Sequence, residues 1–228
     1  MTARIRLVAP NMGSLDQGIQ AFTTVRAPYV RGGGTPSAQV LEEACIAQLW
    51  HSGGKEVGGP RPDAVIVASG QAANHLAFSL FRGSHMVSSN QLFGTTKVAL
   101  TQGFERNGGG KVAYVAPEDT QAFVNAATPA TRAWFVEAIS NPLGRVPDFD
   151  SLKQAARAAQ VVLIVDSTLA AGMPGFRGGD HADILTTSLT KQAGGGNNTN
   201  VGGSVIVTPQ FPAGRSAADF PELGRYFT

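Results

Sequence analysis

Three side chains at the end of one apolar run have the right types and spacing for carbonyl chemistry. In DILTTSLTKQAGGGNNTNVGG, residues 183–203, a short β-branched segment delivers Ser188, Thr190 and Lys191, and a glycine- and asparagine-rich loop follows. Lysine is rarely buried without a partner or a task. Taken partly out of water, it becomes a competent amine nucleophile toward carbonyl compounds. A solvated lysine at a strand end, followed by a loose loop, is the competing reading. Three other clusters bear on the choice. Asp166 closes the most apolar run of the chain, VVLIV; Glu137 and Asn141 lie in FVEAISN; and Ser69-Gly70-Gln71 follows AVIVA.

A sheet must position these groups. Short apolar runs at 64–68, 85–89, 111–115, 133–138, 161–165, 183–187 and 204–207 are predicted as strands. Helices are predicted between them: from Gly70 to about Phe81, and over 93–104, 118–127 and 151–159. An earlier helix starts at Thr35-Pro36, threonine as N-cap and proline at the first helical position. Strands alternating with helices predict an α/β fold with about seven strands, mostly parallel, and helices on both faces. In such sheets ligands sit beyond the carboxyl ends of the strands. Ser69-Gly70, Glu137 to Asn141, Asp166 and Ser188 to Lys191 all fall at those ends.

Composition narrows the function classes. The 228 residues suit one large domain or two small ones, read as an arm with a first helix over 1–60 and the main α/β unit over 61–228. A net charge of +2 argues against nucleic acid or a membrane surface as the main partner. No apolar run approaches the ~18–20 residues of a membrane span, and the N-terminus lacks a signal-peptide core, so a cytoplasmic protein is expected. Cys45 is the single cysteine, which excludes an internal disulfide and a multi-cysteine metal site. It reads as a small packing residue, and no metal site is predicted.

Taken together, the four clusters select a ligand type. A helix N-terminus with hydroxyls beside it (Gly70, Gln71, Ser188, Thr190) suits a phosphate. Asp166 suits a cationic ring nitrogen, Lys191 can form an imine, and the Asn141 amide can hydrogen-bond a phenolic oxygen. Pyridoxal 5'-phosphate presents all four partners. A dinucleotide site is the weaker alternative, because SGQAAN after the first strand lacks the Gly-x-Gly-x-x-Gly spacing.

The chain resembles the cystathionine γ-synthase-like, or Cys/Met-metabolism, family of pyridoxal-phosphate enzymes of fold type I. The resemblance runs through YVRGGGTPSAQVLEEACIAQLW, ASGQAANHLAF, QLFGTTKVAL, FVEAISNPLGRVPDFDSL, VVLIVDSTLAAGMP and HADILTTSLTK with the following GG-SVIV. The VAPEDT segment, the NTNVGGSVIV end and the FPELGRYF tail look most like O-acetylhomoserine sulfhydrylases. The resemblance implies that Lys191 is the Schiff-base lysine and proton shuttle and that Asp166, with Thr168 beside it, serves the pyridine nitrogen. It implies that Asn141 contacts the ring oxygen and that Glu137 orients the neighbouring loop. Ser69, Gly70, Gln71, Ser188 and Thr190 would surround the phosphate. Tyr29 and Arg31 match a Tyr-x-Arg that reaches the neighbouring subunit's cofactor, which implies a homo-oligomer, dimer or tetramer. Phe93 stands where the family carries a tyrosine stacked on the ring, keeping the π-face and losing the hydroxyl.

The expected substrate is a small O-activated amino acid, with sulfur replacing the γ-leaving group; a γ- or β-lyase is the alternative. The family's C-terminal substrate domain has no counterpart between Val207 and Thr228. A subunit that depends on a partner chain carrying that domain is therefore the second expectation.

Overall fold

A computed structural model of the chain describes residues 36–51, 62–194, 196 and 201–208. Helix α1, Pro36–Cys45, continues without a break into the wider turns of Ile46–Trp50. Seven strands follow: β1 Asp63–Val67, β2 His85–Ser89, β3 Lys111–Val115, β4 Thr131–Glu137, β5 Val162–Asp166, β6 Ile184–Ser188 and β7 Gly203–Val207. Between them lie α2 Gly70–Ser79, α3 Gly94–Val98 (continuing through Ala99–Asn107), α4 Thr120–Ala126, α5 Phe149–Ala158 and the single turn α6 Gly178–His181. The predicted strands stand within two residues of their expected bounds.

The strands form one sheet in the order β1-β7-β6-β5-β4-β2-β3. β7 runs antiparallel to both β1 and β6, and the other pairs are parallel. The carboxyl ends of β1, β2, β4, β5 and β6 therefore share one edge with the start of β7. Helix capping tightens the entries onto this scaffold: the side chain of Asp119 accepts from Ala122 N at the start of α4, and that of Asp148 from Ser151 N at the start of α5.

Wholly apolar strands bury both faces, and alternate side chains build two cores. Phe135, Ile164, Ile184 and Val205 pack with Phe78 of α2 and Leu100 and Phe104 beyond α3. Trp134, Val136, Leu163, Val165, Leu185 and Ile206 point the other way, against Ile46 and Trp50 after α1, Phe123 of α4 and Leu152 of α5. Cys45 lies in this second core, where burial pushes its thiol up to about 11. It is a packing residue, as expected, and a poor nucleophile.

Candidate active site

The carboxyl edge of the sheet opens into a cavity of about 290 Å³. Its lining joins Ser69, Gly70 and Gln71 with Glu137, Asn141, Asp166, Thr168, Ser188, Thr190, Lys191 and Phe93. Every described residue singled out from the sequence as a candidate thus stands at one site. Tyr29 and Arg31 lie outside the described residues.

The phosphate-suited corner is made by backbones in close approach. Ser69 caps α2: its Oγ accepts from Ala72 N at 3.1 Å and its carbonyl from Ala73 N at 3.0 Å. The first N–H groups of the helix, at Gly70 and Gln71, have no helix carbonyl to bond and form its positive end. Glycine is needed here because a Cβ on Gly70 would stand 2.5 Å from Ser188 Cβ. At the start of β7, a Cβ on Gly203 would collide with the Ser69 carbonyl. The Gln71 amide is tied to Thr96 Oγ1 at 3.0 Å, and Thr190 Oγ1 accepts from Gly202 N at 3.3 Å.

Two carboxylates sit side by side, Glu137 on β4 and Asp166 on β5, in register. Glu137 is 6% exposed and uses both oxygens on backbone: Oε1 accepts from Phe93 N at 2.7 Å and Oε2 from Asn141 N at 3.0 Å. It therefore ties together two cavity-lining segments, at Phe93 and at Asn141. Burial, aided by Asp166, outweighs those two bonds and pushes its carboxyl up to about 7. Asp166 Oδ1 accepts from Thr168 N and Oδ2 from Asn74 Nδ2, both at 2.9 Å. Burial raises its pKa, and the bonds from Thr168 and Asn74 oppose that rise. Thr168 also closes the floor, its Oγ1 accepting from Ser188 N at 2.9 Å.

Lys191 departs from expectation. It is exposed, not desolvated, because β6 ends at Ser188 and the chain turns before reaching it. A Lys191 N to Ser188 O bond at 3.4 Å closes that turn. Phe93, 47% exposed, stands at the start of α3 with its backbone held by Glu137.

Sequence reasoning passed over Asn74, which is 0% exposed and holds Asp166 from α2. The available signal was helical spacing: a polar residue four before the buried Phe78 points inward. It also passed over Ile139 and Leu169, which give the cavity apolar surface, and Thr96. Among the described residues no group of His, Cys, Asp and Glu is placed to hold a metal ion. No helix among them is long and apolar enough to cross a membrane.

The donor set fits pyridoxal phosphate: N–H groups and hydroxyls for an anion, an acceptor-only carboxylate for a ring N–H, an amide and an amine. Comparisons with known proteins point the same way. The family profile described as Cys/Met metabolism PLP-dependent enzyme matches residues 14–222. The homocysteine synthase of Schizosaccharomyces pombe is 33% identical over 191 residues, covering 82% of this chain and 42% of that protein. O-acetyl-L-homoserine sulfhydrylase 1 of Thermus thermophilus is 35% identical over 187 residues, covering 78% of this chain and 40% of that one. Among solved structures, cystathionine gamma-lyase from Lactobacillus plantarum, complexed with L-serine, superposes with a TM-score of 0.68. It is 28% identical and covers 84% of this chain and 45% of that one. The chain spans about two fifths of the length of the curated relatives it matches.

Proposed function

The chain belongs to the Cys/Met-metabolism family of pyridoxal-phosphate-dependent enzymes, and from that membership we propose that it serves γ-replacement on O-acetylhomoserine-type substrates. The observation that carries the reading is the convergence of Asp166, Asn141, Lys191 and the Ser69–Gln71 turn on one cavity. When bound, pyridoxal phosphate supplies an electron sink that stabilises negative charge developing beside the substrate amine.

The chain's own residues have distinct tasks in this reading. The N–H groups of Gly70 and Gln71, with the hydroxyls of Ser188 and Thr190, hold the phosphate. Asp166, fixed from two sides, faces the ring nitrogen and keeps its proton in place. Asn141 reaches the ring oxygen. Lys191, exposed on the turn after β6, anchors the cofactor through its amine and later moves a proton at the substrate's α-carbon. Phe93 offers a flat apolar face without a hydroxyl, so amine activation falls to Lys191. Glu137 holds the Phe93 and Asn141 loops against each other.

Assembly is part of the proposal. A homo-oligomer, dimer or tetramer, would let Tyr29 and Arg31 reach a neighbouring site. A partner chain supplying further substrate contacts is the other arrangement, and the cytoplasm is the proposed compartment.

The test is turnover of O-acetylhomoserine and sulfide by the purified chain with added pyridoxal phosphate. Homocysteine formation that depends on Lys191 is the expected result. A chain that binds the cofactor but eliminates without adding sulfide is a lyase, and one that binds no pyridoxal phosphate refutes the reading.

A further inference from the structure

Asn74 lies one helical turn beyond the open end of α2 and is wholly buried. Both ends of its amide are used. Nδ2 donates to Asp166 Oδ2 at 2.9 Å, and Oδ1 accepts from Thr186 Oγ1 at 2.6 Å. Thr186, itself 0% exposed, is the register partner of Asp166 on β6. Three residues from three elements thus form a linear relay, Thr186 to Asn74 to Asp166, leading to the cavity.

Hydrogen-bonding chemistry gives the relay one direction. An ionised carboxylate only accepts, so the amide must turn its NH₂ toward Asp166 and its oxygen toward Thr186. The threonine hydroxyl must then donate. The second carboxylate oxygen takes the Thr168 N–H, which cannot accept either. A proton placed on Asp166 toward either donor would oppose another N–H, so both donors favour the ionised form. Burial works the other way. Thr168 acts on Asp166 through its side chain as well as its N–H, and together with Asn74 these bonds hold the carboxylate at the wall of the cavity it lines.

We propose that Asn74, oriented by the Thr186 hydroxyl, is a positioning residue that keeps Asp166 ionised and turned toward the cavity to receive a cationic ring N–H. That the cation is a pyridinium rests on the function proposed above. The relay itself is a property of this chain. The other titratable groups near Asp166 are Glu137, its register partner on β4, and Lys191, which lines the same cavity. From α2 no titratable side chain joins them, since His75 lines a separate groove with Phe78 and Arg82.

The experiment has two readouts on the 228-residue chain. The first is the Asp166 carboxyl midpoint by ¹³C NMR after removal of any cofactor, assigned by its absence in D166N. The second is the pH dependence of pyridoxal phosphate affinity. In Asn74→Leu the midpoint rises by about 1–2 pH units, the worth of one charge-assisted hydrogen bond. The acid limb of cofactor binding moves up with it. Thr186→Val, which removes the hydroxyl at nearly constant shape, gives a smaller rise in the same direction, and Thr186→Ser restores the wild-type midpoint. Should Asn74→Leu fail to fold, the Val and Ser pair at 186 decides. Wild-type midpoints in the folded variants overturn the proposal. A wild-type chain that binds no pyridoxal phosphate would instead refute the functional reading, and the NMR readout would still judge the relay.

Discussion

The cavity has a deep wall and an open wall, and they are built differently. Asp166, Asn74 and Thr186 form the deep wall: two sit on strands, one on a helix packed over them, and none is more than 9% exposed. Phe93 and Lys191 form the open wall, on turns that leave the sheet, with Phe93 47% exposed and Lys191 exposed. Strands and a helix hold Asp166 and its partners, and turns carry Phe93 and Lys191. A ring nitrogen needs a fixed carboxylate, while an amine that anchors and then releases needs room.

That contrast predicts opposite costs for substitutions on the two walls. Lys191→Ala should lower turnover by about 10²–10⁴-fold, the range for losing a positioned proton-transfer group. Its urea midpoint should stay at the wild-type value, as for surface substitutions in general. A large loss of stability would show that the open wall is structural after all. On the deep wall, Asp166→Ala should weaken pyridoxal phosphate binding by about 2–5 kcal/mol, as when one member of a buried charge pair is removed. It should also destabilise the cofactor-free chain, because Asn74 Nδ2 and Thr168 N lose their acceptor. Titration of the cofactor against both forms separates the two effects.

Where the walls meet, Gly203→Ala should cost about 1–3 kcal/mol, since its Cβ meets backbone and not a movable side chain. A thermal melt would show this as a fall of about 2–4 °C per kcal/mol. An unchanged melt would mean that the Ser69 turn is softer than its packing indicates.

The last effect concerns pH. Glu137 has an ordinary value of 4.5, and in the folded chain it is pushed up to about 7. Between those values the folded state holds more protons than the unfolded one. Its contribution is therefore complete below about 4.5, declines as pH rises to about 7 and is flat above. Glu137→Gln removes that slope. Urea midpoints across this window should show the wild type losing its advantage over the variant as pH rises, and a constant difference would contradict the burial of Glu137.

Of the deep wall, Asp166 was legible in the sequence. VVLIV followed by Asp166 reads as the most apolar strand of an α/β sheet, and ligands sit at the carboxyl edge of such sheets. Glycine at 70 and a serine before it announced the helix opening. Asn74 stayed hidden because its partner hydroxyl is 112 residues away, and AANHLAF reads first as an apolar helix. Strand direction was hidden too, since Ser204–Val207 looks the same parallel or antiparallel. The exposure of Lys191 escaped because apolar composition marks where β6 runs, and not whether the lysine lies on the strand or on the turn beyond it.

The central claim is that Lys191 anchors pyridoxal phosphate in this cavity. The chain has four other lysines, Lys55, Lys97, Lys111 and Lys153, so the anchor can be read by mass. Borohydride reduction of the purified chain with pyridoxal phosphate, followed by peptide mapping, should place a stable pyridoxyl group on the peptide carrying Lys191 and on no other. A chain left unmodified, or one labelled at another lysine while Lys191 stays free, would contradict the account.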